Sequence, residues 1–352
     1  MVLPALIEAT SPLFRPIKYS LFPPLGLATL AGYLNADDEV TIEDEHVERV
    51  KLDDEPDLVV IQVYVTSASR AYRLADHYRQ RGVYVCLGGL HVTSLPDEAA
   101  RHADTIFLGP GEDTWPVFLA DYRAGHPSPI YRSRERTLAQ LPPIRRDLIK
   151  RHLYLVPNSI AVSRGCPHTC DFCYKEAFFE GGRGFYTQTV HAALGEIERL
   201  PGRHLYFLDD HLLGNVRFAT ELFEGMRGVG RLWQAAATVQ TVLRPGLVES
   251  AAASGLRSLF VGFETSQRRT SPVTASGRTS VVTMPRPSDG STRTASWSTR
   301  ASSLAWTTTG PMCSSGRSTG RCARVWKPRR STSSRRIPAR LSTRRCRLPT
   351  DL

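Results

Sequence analysis

The chain has 352 residues, 22% of them charged, a formal net charge of +11 and seven cysteines. That length suffices for two domains. No run of about 18 apolar residues offers a membrane span, and the N-terminus lacks the basic segment and long apolar core of a secretory signal, so the expectation is a cytoplasmic protein with reduced thiols. The charge is unevenly placed. Residues 265–352 hold 18 Lys and Arg against 2 Asp and Glu, a surplus of 16 that leaves about −5 on residues 1–264. A basic stripe would point to nucleic acid, but here only the tail is basic and the body gives no support for that partner.

Residues 1–125 read as an α/β domain. Pro23-Pro24 opens a helix predicted over 25–34, and 40–42 is a short β-branched strand. The continuous apolar run 58–65 is typical of a buried parallel strand. A helix over 69–81, a strand over 83–87 stopped by Gly88-Gly89, a short helix over 96–102 and a strand over 105–108 closed by Gly109-Pro-Gly-Glu112 follow. This alternation predicts an open parallel sheet wrapped by helices, and such sheets bind ligands at the carboxyl ends of their strands. Glycines there let backbone come close to a flat ligand or simply make tight turns. Cys86, alone in a strand, reads as a small core residue.

Residues 126–157 read as a linker, broken by Pro127, Pro129, Pro142, Pro143 and Pro157. From 158 to 264 the βα rhythm returns. Strands are predicted over 160–162, 204–208, 232–239 and 258–262, with helices over 190–200, 218–226 and 247–253 between them. Asp209, Asp210 and Glu264 stand where strands end, the functional edge of a barrel.

The loop after the first of these strands holds Cys166-Pro-His-Thr-Cys170-Asp-Phe-Cys173-Tyr174, spaced C-x3-C-x2-C. Three thiolates this close select iron–sulfur clusters, zinc or copper(I). Structural zinc sites usually close with four ligands, and no second C-x2-C pair lies nearby. A four-iron cluster held by three thiolates keeps one iron open.

With Phe172 at the aromatic position and Ser163-Arg164-Gly165 before it, this motif resembles the signature of radical S-adenosylmethionine enzymes. The resemblance implies a [4Fe-4S] cluster on Cys166, Cys170 and Cys173. In that family the open iron chelates S-adenosylmethionine and an electron cleaves it to a 5'-deoxyadenosyl radical. By the same resemblance Phe172 packs near the adenine, Asp209 or Asp210 holds the amino group of S-adenosylmethionine, and Glu264 contacts its ribose or carboxylate side. Residues 1–125, through Phe22-Pro-Pro-Leu-Gly-Leu27, Gly88-Gly-Leu-His-Val-Thr93 and Gly109-Pro-Gly-Glu112, resemble the cobalamin-binding domain found upstream of many radical S-adenosylmethionine cores. That implies Thr66, Ser67, Gly88, Gly89, His91 and Gly109 along the corrin. Asp44-Glu-His46-Val-Glu-Arg49 echoes the cobalt-ligating D-x-H-x-x-G motif, but the glycine is missing and the strand is the wrong one, so His46 reads as a surface residue.

The fold expected is therefore α/β: a Rossmann-like cobalamin-binding domain at 1–125, a linker at 126–157, the N-terminal part of a radical S-adenosylmethionine barrel at 158–264, and a disordered basic tail at 265–352. The function implied is cobalamin-dependent methylation of an unactivated carbon in a small-molecule substrate, with electrons from a donor such as flavodoxin or ferredoxin. The alternatives are a non-catalytic iron–sulfur or cobalamin-binding protein, or an inactive truncated product.

The tail holds 32 Ser and Thr in 88 residues, a composition that cannot bury a core. Moving the reading frame back by one base permits, over residues 296–317, a strand, a Gly-rich turn and an acidic helix start. Over 322–340 it permits a stretch ending TPYPGT, which resembles a motif late in radical S-adenosylmethionine barrels. The expectation is out-of-frame translation beginning between about Ser266 and Thr283, which leaves Cys313, Cys322 and Cys346 without meaning as ligands.

Overall fold

The computed structural model describes residues 1–6, 20–139, 141–170, 173–263 and 278–283. Phe172, Glu264 and the tail apart from 278–283 lie outside the described residues.

The N-terminal sheet has six parallel strands in the order β2-β1-β3-β4-β5-β6. They are β1 (Val2–Leu3), β2 (Glu43–Asp44), β3 (Leu58–Gln62), β4 (Tyr84–Gly88), β5 (Thr105–Leu108) and β6 (Ile130–Arg132). Between them run α1 (Leu25–Ala31), α2 (Ala68–Gln80), α3 (Leu90–Ser94), α4 (Pro96–Ala99) and α5 (Trp115–Arg123). Strand side chains alternate between faces. Val59 and Ile61 pack with Leu74 and Tyr78 of α2, while Val60 packs with Trp115 and Phe118 of α5. Cys86 joins that second face, fully buried, and burial pushes its thiol well up. Helices thus cover both faces, which is why 58–62 reads as an unbroken apolar run.

Two details differ from the sequence reading. The second strand is Glu43–Asp44 rather than 40–42, because its backbone pairs with β1, a two-residue strand too short to show periodicity. The sheet also continues past 125. β6 pairs with β5 from Ile106↔Ile130 to Leu108↔Arg132, inside the stretch read as linker.

The second sheet has the order β13-β12-β11-β10-β7. β7 (Ser159–Ile160), β10 (His204–Phe207), β11 (Leu232–Thr238) and β12 (Leu256–Phe263) are parallel, as the barrel reading requires. β13 (Arg278–Thr283) pairs antiparallel with β12, from Ser258↔Thr283 to Phe263↔Arg278. The stretch read as tail therefore supplies a strand and covers the edge of β12. Helices α7 (Val190–Arg199), α8 (Val216–Met226) and α10 (Leu247–Ala253) pack on one face, with the short α9 (Val239–Val242) after β11. Trp233, fully buried, anchors that core. It stacks on Phe223 at 5.1 Å, meets Phe207 edge-on at 5.3 Å and donates its indole N–H to Ser254. Burying such a side chain contributes about 1.5–3 kcal/mol.

Between β7 and α7 a separate antiparallel pair, β8 (Ser163–Gly165) and β9 (Phe185–Thr187), encloses the cysteine loop and the short helix α6 (Lys175–Phe179).

Candidate cofactor site

Strand order reverses between β1 and β3, the switch point at which open α/β sheets bind ligands. Most of the residues implied for cobalamin lie along that carboxyl edge. Thr66 and Ser67 form a single 3-10 turn after β3. Gly88 ends β4. Gly89, at φ +111°, precedes α3, where a Cβ would stand 2.9 Å from the Val63 carbonyl oxygen. Gly109, at φ +85°, follows β5 and donates its N–H to Thr93 Oγ1 at 2.9 Å. His91 sits in α3 with Nε2 3.3 Å from a Glu98 oxygen, so its ring is engaged with a neighbouring helix. Sequence reasoning missed Gln62 and Tyr64 at the tip of β3. Gln62 donates to the Tyr64 hydroxyl at 2.8 Å. Burial, with Tyr174, Asp44 and Asp210 nearby, pushes that hydroxyl up.

His46 is not simply a surface residue. It is half-buried, with Nδ1 2.8 Å from Asp44 Oδ1, and the Tyr154 hydroxyl donates to the other Asp44 oxygen at 2.9 Å. It follows β2, the outermost strand.

The cysteine loop hangs from the β8–β9 pair. Cys166 N–H donates to the Gly184 carbonyl at 3.2 Å, closing the loop at its base. Gly165, at φ +76°, permits this closure, since a Cβ there would overlap the same carbonyl oxygen. Cys166, Cys170 and Cys173 are half-buried and free of disulfides. Cys173 N–H donates to the Cys170 carbonyl at 2.8 Å, turning the chain into α6. Among the described residues, no three His, Cys, Asp or Glu side chains converge closely enough to hold a metal ion. The three thiols share one loop without gathering.

For the amino group of S-adenosylmethionine, sequence reasoning offered Asp209 or Asp210. Asp209 is engaged with backbone. It is buried, and its Oδ1 accepts from Val162 N–H at 3.1 Å, from Ser163 N–H at 2.5 Å and from the Ser163 hydroxyl. It ties the end of β10 to the chain entering β8, and burial pushes its carboxyl up to about 6. The physical reason is geometric. β7 ends at Ile160 where the chain leaves the sheet, and the carboxylate satisfies the N–H groups left there.

The residues after Asp209 carry the cysteine loop. Asp210 pairs with Lys175 of α6. His211 stacks on His168, between the first two cysteines, with ring centroids 5.5 Å apart. Gly214 leaves room for Pro167, whose Cδ would be 3.0 Å from a Cβ there. His211 is 1% exposed and neither ring nitrogen has a hydrogen-bond partner. Burial, reinforced by His168, pulls it down to about 4, so it is neutral at pH 7. Leaving such a group unpaired costs about 1–3 kcal/mol. The Tyr186 hydroxyl and Gln188 Oε1, on and just after β9, are also buried without partners.

Two arginines join the loop to the first sheet and linker. Arg164 Nε lies 2.9 Å from Glu112 Oε1, linking Ser163-Arg164-Gly165 to Gly109-Pro-Gly-Glu112. Arg136, buried at φ +45°, donates to the carbonyls of Phe179, Glu180 and Arg183 and so fixes the return limb of the loop. No motif flagged Arg136. α3 also packs against α6, so the edge of the first sheet faces the cysteine loop. Three thiols in eight residues, none in a disulfide, with orphaned buried polar groups beside them, fit a sulfur-ligated cluster by donor chemistry.

Comparison with known proteins agrees with this arrangement. The family model described as "B12 binding domain" matches residues 19–119. Bacteriochlorophyllide d C-12(1)-methyltransferase of Chlorobaculum tepidum is 28% identical over 221 residues, 59% of this chain and 48% of that protein. Bacteriochlorophyllide d C-8(2)-methyltransferase of the same organism is 30% identical over 167 residues, 44% of this chain and 36% of that protein. The chain thus spans half or less of the length of these curated relatives. Among solved structures, TsrM of Kitasatospora setae, a radical S-adenosylmethionine methyltransferase with tryptophan and an S-adenosylmethionine analogue bound, superposes with a TM-score of 0.57 at 16% identity. The match covers 74% of this chain and 58% of TsrM. The chain carries a B12 binding domain at 19–119, its curated relatives are methyltransferases, and it shares the fold of a radical S-adenosylmethionine methyltransferase.

Proposed function

We propose that this chain belongs to a cobalamin-dependent radical S-adenosylmethionine enzyme that methylates an unactivated carbon of a small molecule. The observation that carries this reading is the junction of Glu112 with Arg164, which sets the carboxyl edge of a B12 binding domain against a three-cysteine loop. Cys166, Cys170 and Cys173 would hold a [4Fe-4S] cluster, and Thr66, Ser67, Gly88, Gly89 and Gly109 would border the corrin. When bound, the cluster supplies the electron that opens S-adenosylmethionine, and cobalamin carries the methyl group. Asp210, rather than Asp209, remains available to an ammonium group, by exchange with Lys175. An external one-electron donor of the flavodoxin or ferredoxin kind is required. Among the described residues no helix is long and apolar enough to cross a membrane.

The test is anaerobic loading of the full chain with iron, sulfide and cobalamin, followed by iron counting and assay for 5'-deoxyadenosine. About four irons per chain and reductant-dependent 5'-deoxyadenosine are expected, and both are lost in Cys166→Ala, Cys170→Ala or Cys173→Ala. Iron uptake with no 5'-deoxyadenosine would leave a cluster-binding protein without turnover. We also propose that the tail is translated out of frame from a break between about Ser266 and Thr283. A DNA read across codons 264–285 that shows no base gained or lost would sink that idea.

A further inference from the structure

His211 is the buried group that the reading above leaves unused. It is 1% exposed, and neither ring nitrogen meets a hydrogen-bond partner. Its surroundings are the underside of the cysteine loop. It stacks on His168, the midpoint between Cys166 and Cys170, while Gly214, three residues on, packs against Pro167 of the same loop. Its neighbours in sequence already have partners, Asp209 with Val162 and Ser163 and Asp210 with Lys175. A fully buried imidazole is retained beneath a loop only where something satisfies it. The sulfur atoms of a loaded loop are acceptors.

We propose that His211 is a positioning residue whose ring N–H donates a hydrogen bond to the sulfur atoms of the cluster held by the cysteine loop. The inference rests on the cluster assignment made above. A donor aimed at sulfur stabilises the more negative, reduced state and raises the reduction potential. His211 therefore makes the cluster easier to reduce.

The experiment uses the full chain loaded anaerobically with iron and sulfide. The midpoint potential is read by reductive titration followed by electron paramagnetic resonance. His211→Leu keeps bulk and removes both nitrogens, whereas His211→Gln keeps an N–H donor. The reduction equilibrium is expected to weaken several-fold to tenfold in His211→Leu, tenfold being about 59 mV for one electron, with His211→Gln close to the parent. No shift in either variant overturns the inference, and so does an equal shift in both, which assigns the effect to packing. If His211→Leu does not load, 15N-histidine labelling of the parent decides the matter. A nitrogen coupling on the reduced cluster that disappears in His211→Gln is expected, and its absence overturns the inference. A parent chain that takes up no four-iron cluster overturns both this inference and the cluster assignment, and its iron count separates that result from the others.

Discussion

The two sheets present their carboxyl edges by different means. In the first, short turns follow directly from β3, β4 and β5, and backbone does the positioning: Gly89 and Gly109 take positive φ, and Gly109 is held by one hydroxyl. In the second, the stretch between β8 and β9 runs from 166 to 184, too long for backbone alone to define it. Side chains tie it down at several points: Asp209 and Asp210 beneath, His211 against His168, Arg164 to Glu112, and Arg136 on the return limb. The difference teaches that a long ligand loop is fixed by charged and polar anchors borrowed from distant elements, each of which offsets part of the ordering entropy.

The largest expected effect comes where the long loop does rely on backbone. Gly165→Ala adds a left-handed penalty to an overlap with the Gly184 carbonyl. It should cost about 3 kcal/mol or more and expose the loop to protease. Gly181→Ala shares the positive φ, but nothing lies within 4 Å of its Cβ, so about 1 kcal/mol is expected. Equal urea midpoints for the two variants would break the argument.

Next in size is the junction between the sheets. Arg164 and Glu112 are 23% and 12% exposed, and removing one partner of a buried pair costs about 3 kcal/mol. Arg164→Ala and Glu112→Ala should each destabilise by that order. The double variant should lose clearly less than the sum, measured as a double-mutant cycle in urea.

Asp209 supplies a pH test. Its folded carboxyl is raised to about 6, above the ordinary value near 4. The folded state therefore binds the proton more tightly than the unfolded chain. That contribution is fully present below about pH 4 and is lost as pH rises through about 6. Relative to Asp209→Asn, the parent should lose up to about 3 kcal/mol of stability between those values. A difference flat in pH would mean that burial does not perturb this group.

The smallest effect belongs to Lys175 and Asp210, about 30% exposed. Lys175→Met should change stability by only about 0–1 kcal/mol, while changing how readily S-adenosylmethionine protects the loop from proteolysis. An effect as large as that of Arg164→Ala would place this pair among the structural anchors.

Much of the architecture was legible along the chain because burial on both faces writes itself as apolar runs. Residues 58–62, 204–207 and 232–238 announced themselves in this way, and the cysteine spacing announced the loop. β1 and β6 did not, because strands of two and three residues show no period. β8 and β9 did not, because Ser163-Arg164-Gly165 is polar and its partner lies 20 residues away. Asp209 was legible as a strand-end carboxylate, but its hydrogen bonds to Val162 and Ser163 were not, since local sequence does not say which groups lie across from a carboxylate. Phe172 and Glu264 lie outside the described residues.

What the amino-acid sequence determined by itself was local: thiol spacing, βα alternation, glycines where strands stop, and a change of composition after residue 265. Those features depend on neighbours within a few positions. Only the tertiary structure decided that Glu112 meets Arg164, that Arg136 reaches three carbonyls more than 40 residues on, and that His211 lies buried under His168. Each such pairing joins segments whose distance in space is set by how two sheets pack, and no local pattern encodes it.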